Sequence, residues 1–127
     1  TTESPLDPLT HHEAIRTSGW GGRVITAYRP DPVVDPDFEG FRRNVERFGA
    51  ITGCDTLSWP GYLEAHRKRR AFFRSYGATS TDHGHPTAAT ADLSTREAEA
   101  LFGKVLGGND TKIDVDINKP GAVIFVG

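Results

Sequence analysis

Hydrophobic and polar positions along the chain alternate between two periods. Leu9, His12 and Ile15 recur at three-residue spacing behind Asp7-Pro8, a cap followed by proline at a first helical position, and Gly19 offers a stop. This predicts a helix from Asp7 to Gly19. Arg23–Tyr28 is short, β-branched and bounded by glycines and Pro30, which predicts a strand. Asp35-Pro36 repeats the cap-and-proline signal ahead of Phe38, Phe41, Val45 and Phe48, spaced by three and four. A third helix is predicted from Ser58 through Tyr62, Leu63, His66, Phe73 and Tyr76 to Gly77, with a short strand, Ala78–Asp82, leaving that glycine. Ser94 with Glu97 three residues on is a capping box, and Ala98, Leu101, Phe102 and Val105 continue it as a helix to Gly107-Gly108.

Helices alternating with strands argue for an α/β fold with parallel strands and crossover helices. The end of the chain differs. Ile113, Val115 and Ile117 alternate with Asp114 and Asp116, and Ala122–Val126 is a continuous apolar strand after Lys119-Pro120-Gly121. This C-terminal β tail has nothing after it to cover it. Such an edge implies self-association or a missing part of the fold.

Composition narrows the class. At 127 residues, one domain is the default, and an apolar share of 36% is low for a self-contained globule but too high for a disordered chain. No run reaches the roughly 18 apolar residues of a membrane span, and no signal pattern opens the chain, so no membrane partner is expected. Cys54 is the single cysteine, which excludes an internal disulfide and points to a reducing, cytoplasmic setting. The net charge of −2 gives no pull toward nucleic acid. The basic run His66-Arg67-Lys68-Arg69-Arg70 would spread around a helix and reads as a solvated face. The chain contains no methionine, even at position 1, which implies a piece of something longer.

Candidate chemistry gathers in three polar segments: Thr1-Thr2-Glu3-Ser4-Pro5, Tyr28-Arg29-Pro30-Asp31, and Thr79 to Pro86. The second and third follow predicted strands, where α/β proteins keep their sites. Arg29 carries a fork of donors suited to carboxylate or phosphate, and as a surface residue it would pair with Asp31. Asp82 beside His83 could form a proton-transfer pair if the chain turns there, which Gly84 permits; the competing role for Asp82 is turn formation. His83 and His85 share one side of an extended backbone, as a divalent metal requires, yet two ligands do not make a site. His11-His12 falls on two helix faces, which favours a structural role. Asp114 and Asp116 read as a solvated strand face.

Taken in order, Thr1-Thr2-Glu3-Ser4-Pro5-Leu6-Asp7, Tyr28-Arg29-Pro30-Asp31 and Thr81-Asp82-His83-Gly84-His85-Pro86 resemble the interior of the uronate (glucuronate) isomerases. The likeness covers residues 1–108 and leaves residues 109–127 unmatched. It implies the middle portion of an amidohydrolase-like (β/α)₈ TIM barrel. It also implies aldose–ketose isomerisation of a hexuronate, D-glucuronate to D-fructuronate. By the same likeness Arg29 would face the sugar acid's carboxylate or its developing enediolate, with Asp31, Thr2 and Glu3 also lining the substrate mouth. Asp82 and His83 would be catalytic, orienting hydroxyls or assisting proton transfer. The family's divalent metal, usually zinc, would be held by a His-x-His and an aspartate outside this chain, so none is expected within it. A whole barrel takes about 250 residues, so this chain would be at most half of one and inactive alone. Two competing readings are another amidohydrolase-like hydrolase and a non-enzymatic α/β module that associates through its exposed strands.

Overall fold

The structure, a computed structural model, describes residues 1–84 and 92–108. Its elements in chain order are β1 (Thr2–Glu3), α1 (Thr10–Thr17), β2 (Ala27–Tyr28), α2 (Asp31–Val34), α3 (Phe41–Thr52), α4 (Trp59–Ser75) and α5 (Thr95–Leu106). β1 and β2 pair in parallel, Thr2 opposite Ala27 and Glu3 opposite Tyr28. On the other side of β2, Tyr28 forms a parallel bridge with Thr81. Each connection between these neighbours carries helices: α1 between β1 and β2, then α2, α3 and α4 before Thr81. The expected α/β pattern of parallel strands with crossover helices is present, in a helix-rich form.

The helices start where capping chemistry is strongest. Ser58 accepts from the Gly61 amide and opens α4, while Ser94 and Glu97 form a complete capping box at α5. The other starts differ from expectation. α1 begins at Thr10 rather than Asp7, because the Asp7 carboxylate accepts from the Leu9 amide at 2.6 Å and spends itself on a turn. Leu9 adopts a left-handed conformation at φ 57° and is fully buried. The Asp35-Pro36 signal likewise makes a turn, with the Asp37 amide on Asp35 Oδ1 at 2.9 Å, and α3 starts at Phe41 after Gly40 at φ +73°.

The predicted strand Arg23–Tyr28 shortens to Ala27–Tyr28, and Ala78–Asp82 to its bridge at Thr81. Only where a neighbouring strand supplies backbone partners does the extended chain become a ladder. β1 and the one-turn α2 carry too few residues for periodicity to reveal. The predicted tail strands, 113–117 and 122–126, lie outside the described residues.

Two apolar clusters hold these elements. The larger joins Leu6, Val33, Phe41, Val45, Phe48, Tyr62, Ala65, Phe102 and Leu106, uniting α2, α3, α4 and α5. The smaller joins Leu9, Tyr28 and Phe73, seating β2 on α4. The basic run on α4 is only partly a solvated face. Arg67 pairs with Glu64 and Lys68 caps the Thr52 carbonyl at 3.0 Å, both in solvent. Arg69 instead turns inward, donating from Nε to the Pro5 carbonyl at 2.8 Å and from Nη2 to the Asp7 carbonyl at 2.7 Å. Its guanidinium lies 4.1 Å over the Phe72 ring, so a cation that sequence alone puts in water ties the loop after β1 to α4.

Burial gives this core a measurable signature. Phe48 is fully buried and packs edge-on against Tyr62 and His66. Phe48→Ala is expected to cost about 3–5 kcal/mol in urea unfolding. The exposed Ile51, one turn away on the same helix, should cost under about 0.5 kcal/mol as Ile51→Ala.

Candidate functional site

Parallel pairing sets the carboxyl ends of β1, β2 and the Thr81 bridge side by side. The Arg29 amide donates to the Glu3 carbonyl at 2.9 Å, and the Asp82 amide donates to the Tyr28 carbonyl at 3.0 Å. The three polar segments singled out in the sequence therefore leave one edge together.

Arg29 joins two of them. Its Nε donates to Asp31 Oδ2 at 2.5 Å and its Nη1 to Asp82 Oδ2 at 3.1 Å. These contacts, the Asp31 hydrogen bond foremost, raise the Arg29 pKa further, so the group stays charged at any working pH. Asp31 also accepts the Gly84 amide on Oδ1 at 3.0 Å. Its carboxylate thus bridges the turn after β2 to the loop after Thr81. Side-chain exposure sorts the members: 44% for Arg29, 40% for Asp82 and 13% for Asp31. A Cβ at Gly84 would stand 2.8 Å from Arg29 Nη2 and 3.3 Å from Asp31 Oδ2, so another residue there would displace the end of the Arg29 side chain.

The remaining candidates sit nearby with different standing. His83 follows Asp82 on the same loop and is half-buried. Glu3 is half-buried and Thr2 exposed on β1; Glu3 meets Arg29 through its backbone carbonyl rather than its side chain. His85, and with it the His83-x-His85 pair, lies outside the described residues. His12 has the structural role expected of it, buried with Nε2 at 2.8 Å from the Thr1 hydroxyl. Among the described residues no group of three or more His, Cys, Asp or Glu side chains could hold a metal ion. The chain's described donors do not by themselves fit a divalent cation.

Beneath the rim lies a pair that pattern reading missed. Tyr28 is buried, and its hydroxyl is 2.8 Å from His66 Nδ1 on α4. His66 Nε2 is buried and has no hydrogen-bond partner among the described residues. Burial, followed by the charge of Arg70 and the proximity of His83, pushes the His66 pKa down to about 3. Burial pushes the Tyr28 phenol up. Both groups are neutral at pH 7 and act as a fixed strut under Arg29. In the sequence His66 is one more member of a helical stripe, and only its spacing to Tyr62 and Phe73 hinted at burial.

The strut has a pH signature. Between about pH 6.5 and pH 3 the unfolded chain takes up a proton on His66 that the folded chain refuses. Stability is therefore expected to fall as pH is lowered through that window, at up to about 1.4 kcal/mol per pH unit from this group. His66→Phe removes the proton uptake and should flatten the slope in urea unfolding run at pH 7, 6 and 5. In NMR titration the His66 ring should stay neutral from pH 8 to pH 5.

The sequence profile of the glucuronate isomerase family matches residues 1–125, running beyond residue 108, where the motif resemblance stops. The chain is 64% identical over 121 residues to the uronate isomerase of Sphingopyxis alaskensis, covering 92% of this chain and 26% of that protein. It is 70% identical over 111 residues to that of Rhizorhabdus wittichii, covering 87% and 24%. The crystal structure of glucuronate isomerase from Caulobacter crescentus superposes with a TM-score of 0.84 at 61% identity, over 88% of this chain and 23% of that one. That of uronate isomerase from Thermotoga maritima gives the same TM-score at 29% identity, over 90% and 25%. The chain spans about a quarter of the length of the curated relatives it matches. Sequence and structure agree on the assignment: the chain belongs to the glucuronate isomerase family.

Proposed function

We propose that this chain supplies middle strands and substrate-facing loops of a (β/α)₈ barrel that isomerises hexuronates between aldose and ketose forms, D-glucuronate to D-fructuronate. The observation that carries this reading is the joining of Arg29, Asp31 and Asp82 at the carboxyl ends of neighbouring parallel strands. Barrel enzymes place their chemistry at that end. In the reaction a hydrogen leaves C2 and arrives at C1, while a hydroxyl proton passes from O2 to O1. Asp82 and His83 stand where they could hold a hydroxyl or shuttle one of these protons. Arg29 with Asp31 behind it, and Thr2 and Glu3 on β1, would line the mouth around the sugar.

The divalent metal that the family resemblance implies, zinc, would be held by residues outside this chain. It would polarise the carbonyl when bound. The remaining barrel strands, or another copy of this chain, would complete the sheet beyond Thr81. A cytoplasmic setting fits the lone thiol of Cys54. Among the described residues no helix is long and apolar enough to cross a membrane.

Replacing the matching quarter of the Caulobacter enzyme with this whole 127-residue chain tests the reading. The graft is expected to isomerise D-glucuronate, and Arg29→Ala in it should lower kcat/KM by about a hundredfold. The chain by itself should show no turnover. A folded graft that ignores hexuronates but cleaves lactones or esters would transfer the site to hydrolysis. Turnover by the chain alone, lost in Arg29→Ala, would contradict the need for further strands.

A further inference from the structure

The charge and donor count at the rim bear on which end of the sugar meets it. Arg29 brings one positive charge, and Asp31 and Asp82 bring two negative ones, so the cluster carries a net charge of −1. A free guanidinium would welcome a carboxylate through two parallel N–H donors. Here the Nε edge is already taken by Asp31 and Nη1 already serves Asp82. An incoming carboxylate would approach the remaining donors beside the half-exposed Asp82 carboxylate and meet repulsion from it.

A hydroxyl meets a different surface. Asp82 uses Oδ2 on Arg29, and its Oδ1 carries no hydrogen bond among the described residues. The Nη1 and Nη2 ends of Arg29 keep N–H donors beyond the Nη1 bond to Asp82. An acceptor therefore stands next to donors, the pattern that complements a group able to donate and accept at once. Asp31 takes no part in this, since both of its oxygens are engaged, one by Arg29 and one by the Gly84 amide. Gly84 completes the arrangement, because any side chain there would push Nη2 out of place.

We propose that Arg29 and Asp82 form a hydroxyl-binding pair for the polyol part of the sugar, and that the acid end of the substrate is gripped elsewhere. Asp31 and Gly84 are positioning residues that hold the pair at its spacing. This inference rests on the hexuronate reading of the same rim and names the part of the substrate it takes. It departs from the expectation that Arg29 faces the sugar's carboxylate.

The sign of one substitution separates the two orientations. In the Caulobacter graft, Asp82→Asn removes a negative charge and an acceptor with almost no change of shape. For a hydroxyl pair it should raise KM for D-glucuronate and weaken binding of neutral D-glucose, each by about tenfold. For a carboxylate grip it should tighten D-glucuronate and leave D-glucose unmoved, which would overturn the proposal. No change with either sugar would overturn it too. Arg29→Gln provides the second arm: its penalty should be alike for D-glucuronate and D-glucuronamide, and a penalty at least tenfold larger for the acid contradicts the pair. Dissociation constants from calorimetry are read beside turnover. A graft that binds D-glucose through the pair but does not isomerise hexuronates sinks the isomerase reading and keeps the inference, whereas an active graft with unaltered sugar binding in Asp82→Asn does the reverse.

Discussion

Tyr28 fixes the geometry on which the site depends. Its amide donates to the Ser80 carbonyl at 3.1 Å and its carbonyl accepts from the Asp82 amide at 3.0 Å, so its backbone holds the third segment alongside β2. Its side chain runs the other way, into the apolar cluster with Leu9 and Phe73, and ends on His66. Successive side chains of an extended strand alternate in direction, so burying Tyr28 delivers Arg29 to the opposite side. The strut beneath thus sets where the guanidinium emerges. A neutral tyrosine–histidine pair suits that task, because it contributes a directional bond without placing a charge under a rim that already holds three.

Arg69 completes the support from the neighbouring strand. By taking the carbonyls of Pro5 and Asp7 it holds the loop that leaves β1, and β1 in turn receives the Arg29 amide. Both supports come from α4, one through His66 and one through Arg69. That helix is itself locked by Tyr62, whose hydroxyl donates to the Val33 carbonyl at 2.7 Å. The rim is therefore braced by one helix whose cap, core stripe and buried polar groups agree with one another, a consistency expected of a scaffold that must hold polar groups at fixed spacing.

Much of this was legible in the sequence, for reasons that differ by element. α4 and α5 announce themselves because Ser58 and Ser94 cap their first turns and a periodic apolar stripe follows each. Asp7 and Asp35 mislead because the same side chain closes a turn as readily as it caps a helix, and proline follows comfortably in either case. The parallel strands are too short for alternation to show, and their pairing depends on partners far away in the chain. At the rim, Arg29 and Asp82 stood out by their position after strands. The function of Asp31 as a bridge did not, since its second partner is a backbone amide 53 residues on. His66 and Arg69 were hidden inside a basic run whose burial is decided only by packing. The family resemblance reached the right assignment through motifs, while the chemistry of the Arg29 cluster emerges from counting its occupied donors.

The central claim is that three separate stretches of chain leave neighbouring parallel strands at one edge, held there by the backbone of β2. Amide hydrogen exchange reads this directly. The account predicts slow exchange at Tyr28, Arg29 and Asp82, whose amides serve the Ser80, Glu3 and Tyr28 carbonyls, beside fast exchange in the exposed Gly21-Gly22 turn. Exchange at Arg29 and Asp82 as rapid as in that turn would show that the strands do not pair and that the rim does not exist.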